Sequence, residues 1–300
     1  MSAAVSPTWS GLLDDVSAAG GPGPDVDLHA RTAAHGTALA GEAGALLGRT
    51  VVPDDVLPLL RGYTHPLHVV LTGGAGAVMG PMGLATKLGL TVAGLELVLR
   101  DVDDPAGNVR RVVAAVDAAR AEGVLDEDVP VHVEIPVADP SAGWGQPSGL
   151  WLQAADEAAN AELRLTLRLG GTHRDRFSTP AALVSMIDAA LDRETPFRIT
   201  GATTHAVTTQ VEVADGPATA FGAANVLLAT RRTFDGVGRD EVLATLAETD
   251  PGVLGEQVAG EEFLAATRRW LTGWGATSGT SAADLLATAA ADLTRLGQLG

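Results

Sequence analysis

Residues 163–207 read LRLTLRLGG, THRDRFSTP, AALVSMIDAALDRE and TPFRITGATTHAV in succession: a strand, a turn, a helix and a second strand. In the first strand Leu163, Leu165, Leu167 and Leu169 alternate with Arg164, Thr166 and Arg168. In the second, Phe197 and Ile199 alternate with Arg198 and Thr200. Side chains along a strand point to opposite faces with a period of two, so one face is leucine-rich and the other cationic. A parallel strand covered by helices on both faces would be apolar almost throughout. The arginine face must therefore meet a polar interior, and a β/α barrel supplies one, with a C-terminal mouth open to solvent.

The same rhythm extends toward the N-terminus. Strands at 67–72, 90–99 and 131–135 are separated by a glycine turn with a helix to 87 and by an amphipathic helix at 106–122. A Pro/Gly-rich loop at 138–148 and a helix at 150–159 follow the third. Such alternation implies right-handed crossovers and a parallel sheet. Opposite their apolar residues these strands carry His68 and Thr72, Glu96, and His132 and Glu134. Five strands, with a sixth minor one at 274–280, predict an irregular or incomplete parallel β/α barrel of the TIM-barrel type, in preference to an open doubly wound sheet. Downstream the chain reads as helices at 219–234, 239–249, 261–272 and 281–297. Upstream, 9–19, 27–47 and 53–60 read as helices, with the Gly-Gly-Pro-Gly-Pro run at 20–24 as a joint. Residues 1–62 are thus expected to form a helical cap, and 63–300 the barrel with its C-terminal helices.

Three hundred residues, 46% of them hydrophobic, suffice for one large α/β domain. A net charge of −17 argues against a nucleic-acid or anionic-membrane partner. With no cysteine, disulfides, zinc–thiolate sites and thiol nucleophiles are excluded. The first residues lack the pattern of a signal peptide, and no run reaches the ~18–20 apolar residues of a spanning helix. The expected location is the cytoplasm and the expected partner a small anionic metabolite, with homo-oligomerisation left open.

The candidate site lies at the C-terminal ends of the strands. Arg168, before Gly170-Gly171, and Arg198, before Gly201, occupy equivalent places on neighbouring strands about 4.8 Å apart. Two planar guanidinium forks so placed suit a carboxylate or phosphate; the competing reading pairs each with Glu96 or Glu134 inside the barrel. Glu134 is a candidate general base, with His205, just past the last strand, as a second proton-transfer group. Glu96 and Thr200 complete the substrate-binding set. No metal is expected, because Thr166 and Arg168 stand where a hard cation would want a third acid. No other cofactor is expected either. Trp270 and Trp274, four residues apart, read as core or interface anchors. The turn from Thr72 to Gly80 hints at a nucleotide fingerprint with Glu96 as its ribose acid, but Met79 stands where glycine or alanine would pack helix on strand.

One stretch carries a resemblance: Arg168-x-Gly170-Gly171, Phe177-Ser178-Thr179-Pro180, Pro196-Phe197-Arg198-Ile199-Thr200-Gly201, His205, and Phe221-Gly222-x-x-Asn225-Val226-Leu227. It resembles a group of bacterial proteins without assigned activity that share the pattern KxRxGG, FPS, PFKxTAGLHHP and GFxNVL. The resemblance covers about a fifth of the chain clearly and implies a β/α-barrel-like fold with a polar mouth. Here the first lysine of that pattern is Thr166, its second lysine is Arg198, and one of its paired histidines is Thr204. Exchanging lysine for threonine removes an amine that can serve as base or Schiff-base nucleophile.

These readings converge on an enzyme that acts on a small carboxylate or phosphate metabolite by metal-free proton transfer, of the isomerase or lyase type. The alternatives are a degenerate barrel that binds a metabolite without turnover, and a nucleotide-dependent enzyme.

Overall fold

A computed structural model describes residues 5–19, 27–136, 147–276 and 281–299. Eight parallel strands close into a barrel: β1 (Leu13–Asp15), β2 (Leu47–Pro53), β3 (Leu67–Leu71), β4 (Val92–Val98), β5 (Val131–Glu134), β6 (Arg164–Arg168), β7 (Phe197–Ala202) and β10 (Leu271–Ala276). Neighbours in the barrel follow chain order, and β10 returns to pair with β1. An antiparallel hairpin, β8 (Thr209–Val213) and β9 (Gly216–Ala220), interrupts the run between β7 and β10.

The outer layer comprises α1 (Leu28–Leu39), α2 (Met79–Leu88), α3 (Pro105–Ala121), α4 (Gly149–Asn160), α5 (Pro180–Asp192), α6 (Ala223–Phe234), α7 (Arg239–Ala247), α8 (Pro251–Ala259) and α9 (Ala282–Arg295). Local sequence starts several of these helices. Asp104, Ser148, Thr179, Asp250 and Ser281 each accept a backbone N–H from the first turn, and proline follows directly at 105, 180 and 251. The leucine face of β6 and β7 packs outward against this layer, with Leu165, Leu167, Phe197 and Ile199 buried. Among the described residues no helix is long and apolar enough to cross a membrane.

The barrel is complete, which corrects the expectation of missing strands. Residues 1–62 are not a helical cap: they supply β1 and β2, two of the eight walls. A three-residue strand has too little alternation to be legible, and β1 exists because β2 and β10 flank it. Asp54–Leu60 forms a 3₁₀ turn with Pro58 inside it in place of the α-helix expected over 53–60, since proline lacks the N–H an α-helix needs, and Pro53 ends β2. The helix expected at 261–272 is a 3₁₀ turn at Leu264–Arg269 running into β10, and residues 219–220 end the hairpin. The joint at 20–24 and most of the loop at 138–148 lie outside the described residues.

Candidate functional site

Counting around the barrel, the first, third, fifth and seventh strands contribute Asp14, His68, His132 and Arg198. Alternate strands feed each layer of a β/α barrel, usually with branched apolar side chains. Here the layer is charged and polar, and all four residues are at most 2% exposed. Glycines make the room. A Cβ on Gly94 would lie 2.5 Å from His68 Nδ1, one on Gly273 2.7 Å from Asp14 Oδ2, and one on Gly275 3.2 Å from Arg198 Nη2. Large side chains from odd strands thus fill space that glycines on the even strands vacate.

Arg198 holds this centre together. Its Nη2 donates to Asp14 Oδ2 at 2.8 Å and its Nη1 to Glu96 Oε2, with His68 Nε2 3.4 Å from the same Glu96 oxygen. Burial alone would raise the carboxyl pKa values of Asp14 and Glu96. The Arg198 charge and the neighbouring charges and hydrogen bonds that add to it together outweigh burial and hold both below the ordinary carboxylate range. Burial, with Arg198 adding to it, pushes His68 down. Burial and the neighbouring His68 push His132 well down, so both imidazoles are neutral. The two rings meet edge to face at 5.3 Å, and His132 Nδ1 lies 3.2 Å from the Leu95 carbonyl.

The mouth differs. At the C-terminal ends of β5 and β6, Arg168 donates through Nε and Nη2 to the two Glu134 oxygens at 2.7 and 2.6 Å. The Arg168 side chain is 34% exposed and Glu134 lies at the edge of burial. Burial opposes the Arg168 charge, but its bonds to Glu134 raise its pKa all the same. Thr200 stands opposite Arg168 in the β6–β7 register. The glycines beside this pair are steric necessities. A Cβ on Gly170 would sit 2.7 Å from the Gly201 carbonyl oxygen and one on Gly201 2.7 Å from that of Gly170, and Gly201 has φ +64°. Next to them, under the β8–β9 hairpin, a cavity of about 400 Å³ is lined by Gly171, Phe177, Ala202, Thr203 and Val211, among others.

The structure therefore separates residues that the sequence grouped. Glu96, Glu134, Arg168 and Arg198 belong to the polar interior, as their alternation predicts. Arg168 and Arg198, however, do not converge on one anion: Arg198 is fully buried on two carboxylates, and only Arg168 reaches the mouth. Glu96 is an internal counter-ion at this depth. His205 is not beside Glu134. Its Nδ1 lies 3.1 Å from Asp292 Oδ2 of α9, and it shares a small apolar recess with Trp9, Leu12, Ala223 and Leu293. The chain leaves the barrel after β7, and Ala206 N–H also docks on Asp292, so the histidine is carried into the outer layer. Asp14 was the site residue the sequence reading missed. Its only signal was an acidic pair at 14–15, placed in a segment read as helix.

A second cleft, about 580 Å³, opens outside the barrel between α1 and the β2–β3 connection, where His29, Arg61, Tyr63 and His65 line it. Behind it His35 Nδ1 pairs with Asp15 Oδ2 at 3.0 Å, both buried. Trp274 is a core anchor, as expected, but on a strand: it is fully buried in β10 and donates its indole N–H to the Thr203 carbonyl at 2.9 Å. Among the described residues no group of three His, Asp or Glu side chains is placed to hold a metal ion.

Fold and site together define a closed parallel β/α barrel with a charged interior and an acid–arginine pair at its C-terminal mouth. No protein-family model and no curated protein matches the sequence. Among solved structures, the tetrameric deoxyribose phosphate aldolase from Aeropyrum pernix is similar at a TM-score of 0.48 and 10% identity, over 94% of this chain and 92% of that one. Likeness at that level carries no statement about chemistry.

Proposed function

We propose that the protein is an enzyme acting on a small anionic metabolite, a carboxylate before a phosphate, by proton transfer at the barrel mouth. The Glu134–Arg168 pair carries this reading. It joins an acid–base group and a cation on neighbouring strand ends, part-open to solvent, where barrels assemble their sites. Arg168 presents its side-on edge to Glu134, which leaves Nη1 outside the pair to receive an oxyanion. An anion arriving there competes with Glu134 for the guanidinium and frees a carboxylate oxygen to take a proton from carbon beside a carbonyl. Thr200, opposite Arg168 in the strand register, donates a hydroxyl hydrogen bond to the same ligand in this reading. His205 enters only if its segment swings from Asp292, and the reading does not need it.

A second reading, metabolite binding without turnover, is favoured by one observation: both Glu134 oxygens are already engaged by Arg168, and the neighbouring inward position is Thr166. The nucleotide reading loses its acid, since Glu96 is occupied by Arg198 inside the barrel.

A thermal-shift screen of small carboxylates and phosphates against the wild type and Arg168→Met tests the site. The expected hit stabilises the wild type and not the variant. Deuterium uptake from D₂O into that hit, read by NMR and lost in Glu134→Gln with binding kept, separates enzyme from binder. Hits that still stabilise both proteins equally when inorganic phosphate is present at saturation would move the site away from the mouth.

A further inference from the structure

The N-terminal end of the barrel carries a charge arrangement that neither the ion-pair centre nor the mouth uses. Arg164 opens β6 and alternates with Thr166 and Arg168, so it points inward at the bottom of the barrel. Arg49 lies near the start of β2. Its neighbour Thr50 points outward to the Tyr63 hydroxyl, which turns Arg49 inward. β2 and β6 are the second and sixth of eight strands and stand on opposite walls. The strands between them carry Gly94 and Gly273, which add no side chain at this level and are packed against His68 and Asp14 of the layer above.

Every other inward arginine of the barrel is held by carboxylates: Arg198 by Asp14 and Glu96, Arg168 by Glu134. Among the described residues Arg49 and Arg164 have no such partner. The acid nearest in effect, Asp14, has its Oδ2 on Arg198 and its Oδ1 on the Arg49 backbone N–H. Burial first, then the Arg49 charge, pulls the Arg164 guanidinium below its ordinary value, and Arg49 acts the same way on Arg268. Arg268 is fixed at this end by the carbonyls of Thr8, Ser10 and Leu271. Three cations thus crowd one end of a barrel in a chain with 37 acidic and 20 basic residues. A half-buried, unpaired and mutually repelling pair is destabilising unless something anionic sits between its members.

We propose that Arg49 and Arg164 form an anion site on the barrel axis at its N-terminal end, taking a small oxyanion of the phosphate type. Two guanidiniums reaching in from opposite walls suit the several oxygens of a tetrahedral anion better than those of a single carboxylate. Once bound, the anion ties opposite walls of the barrel together. The end of a β/α barrel that ordinarily serves stability thereby gains a ligand-dependent stability. This site is independent of the mouth, since the polar layer of Asp14, His68, His132 and Arg198 lies between them.

The test uses inorganic phosphate against chloride at matched ionic strength, with melting temperature as the readout, in the wild type, Arg49→Gln, Arg164→Gln and Arg168→Met. Phosphate is expected to raise the wild-type melting temperature along a saturating curve, and Arg168→Met keeps that response. Each of Arg49→Gln and Arg164→Gln is expected to melt higher than the wild type without phosphate, because repulsion is relieved, and to lose the response. Should one of these fold poorly, the other reads the same site from the opposite wall. The site is refuted if phosphate does no more than chloride, if the response survives both glutamine substitutions, or if both substitutions destabilise the phosphate-free protein.

Discussion

Arg198 and Arg168 sit on adjacent strands, point into the same barrel and each meet carboxylate, yet they do different things. Arg198 lies mid-strand, sealed from water and shared by Asp14 and Glu96. Arg168 lies one register step nearer the mouth, a third exposed, on Glu134 alone. Depth decides the role. A buried guanidinium cannot leave its carboxylates without stranding charge in a low-dielectric interior, whereas one at the rim can exchange a carboxylate for a ligand at small cost. The contrast teaches that identical residue types on adjacent strands, one inward step apart, can be one structural and one available for chemistry.

The sharpest way to break this contrast is to remove each arginine in turn. Arg198→Met should cost about 3–5 kcal/mol in urea unfolding, because Asp14 and Glu96 are left buried without their cation. If that variant unfolded no more easily than the wild type, the centre would not be held by charge.

Acid should attack the same centre. Asp14 and Glu96 are held below their ordinary values of 3.8 and 4.5, so the unfolded chain binds protons there that the folded protein refuses. Their contribution is complete above about pH 5 and is lost as the pH falls through the folded-state values. His68 and His132 are held below 6.5, and protonation of the unfolded chain lowers stability with the same sign as the pH drops past that value. Urea midpoints should therefore fall between pH 7 and 5, roughly the histidine window, and fall again in stronger acid. His132→Gln should shrink the first step and spare the second. A flat profile across the first window would mean that the interior histidines carry charge.

A smaller effect sharpens the steric half of the contrast. Gly94→Ala drives a methyl against His68 and should cost about 1–3 kcal/mol as overpacking, measured by chemical denaturation. Alanine at Gly76, in the turn after β3 and with nothing within 4 Å of its added Cβ, is the control and should change little.

The smallest effect on stability is expected at the mouth. Arg168→Met should cost about 1 kcal/mol, above a surface pair because Glu134 is nearly buried and below Arg198→Met because the rim reaches water, while removing the stabilisation by ligands of the mouth. A stability loss comparable to that of Arg198→Met would place Arg168 with the structural centre and end its claim to the substrate.

The sequence by itself determined a run of parallel β/α units with a polar inner face, and favoured a barrel over an open sheet. The leucine–arginine alternation of β6 and β7 admits only a strand with one apolar and one polar face, and the helix spacing around it admits only parallel crossovers. It also showed that Glu96, Glu134, Arg168 and Arg198 share an interior, because a period of two is a local property. Tertiary structure alone decided three things. It closed the barrel through β1, too short at three residues to show a period, and β2, whose seven residues carry no apolar–polar alternation; both become strands only where neighbours pair with them. It settled which arginine is buried, since depth along a strand depends on the register and tilt of all eight. It also carried His205 to Asp292 on α9, a contact 87 residues away in sequence. Periodicity reports which face a side chain takes; which partners it meets there depends on packing among segments remote in the chain.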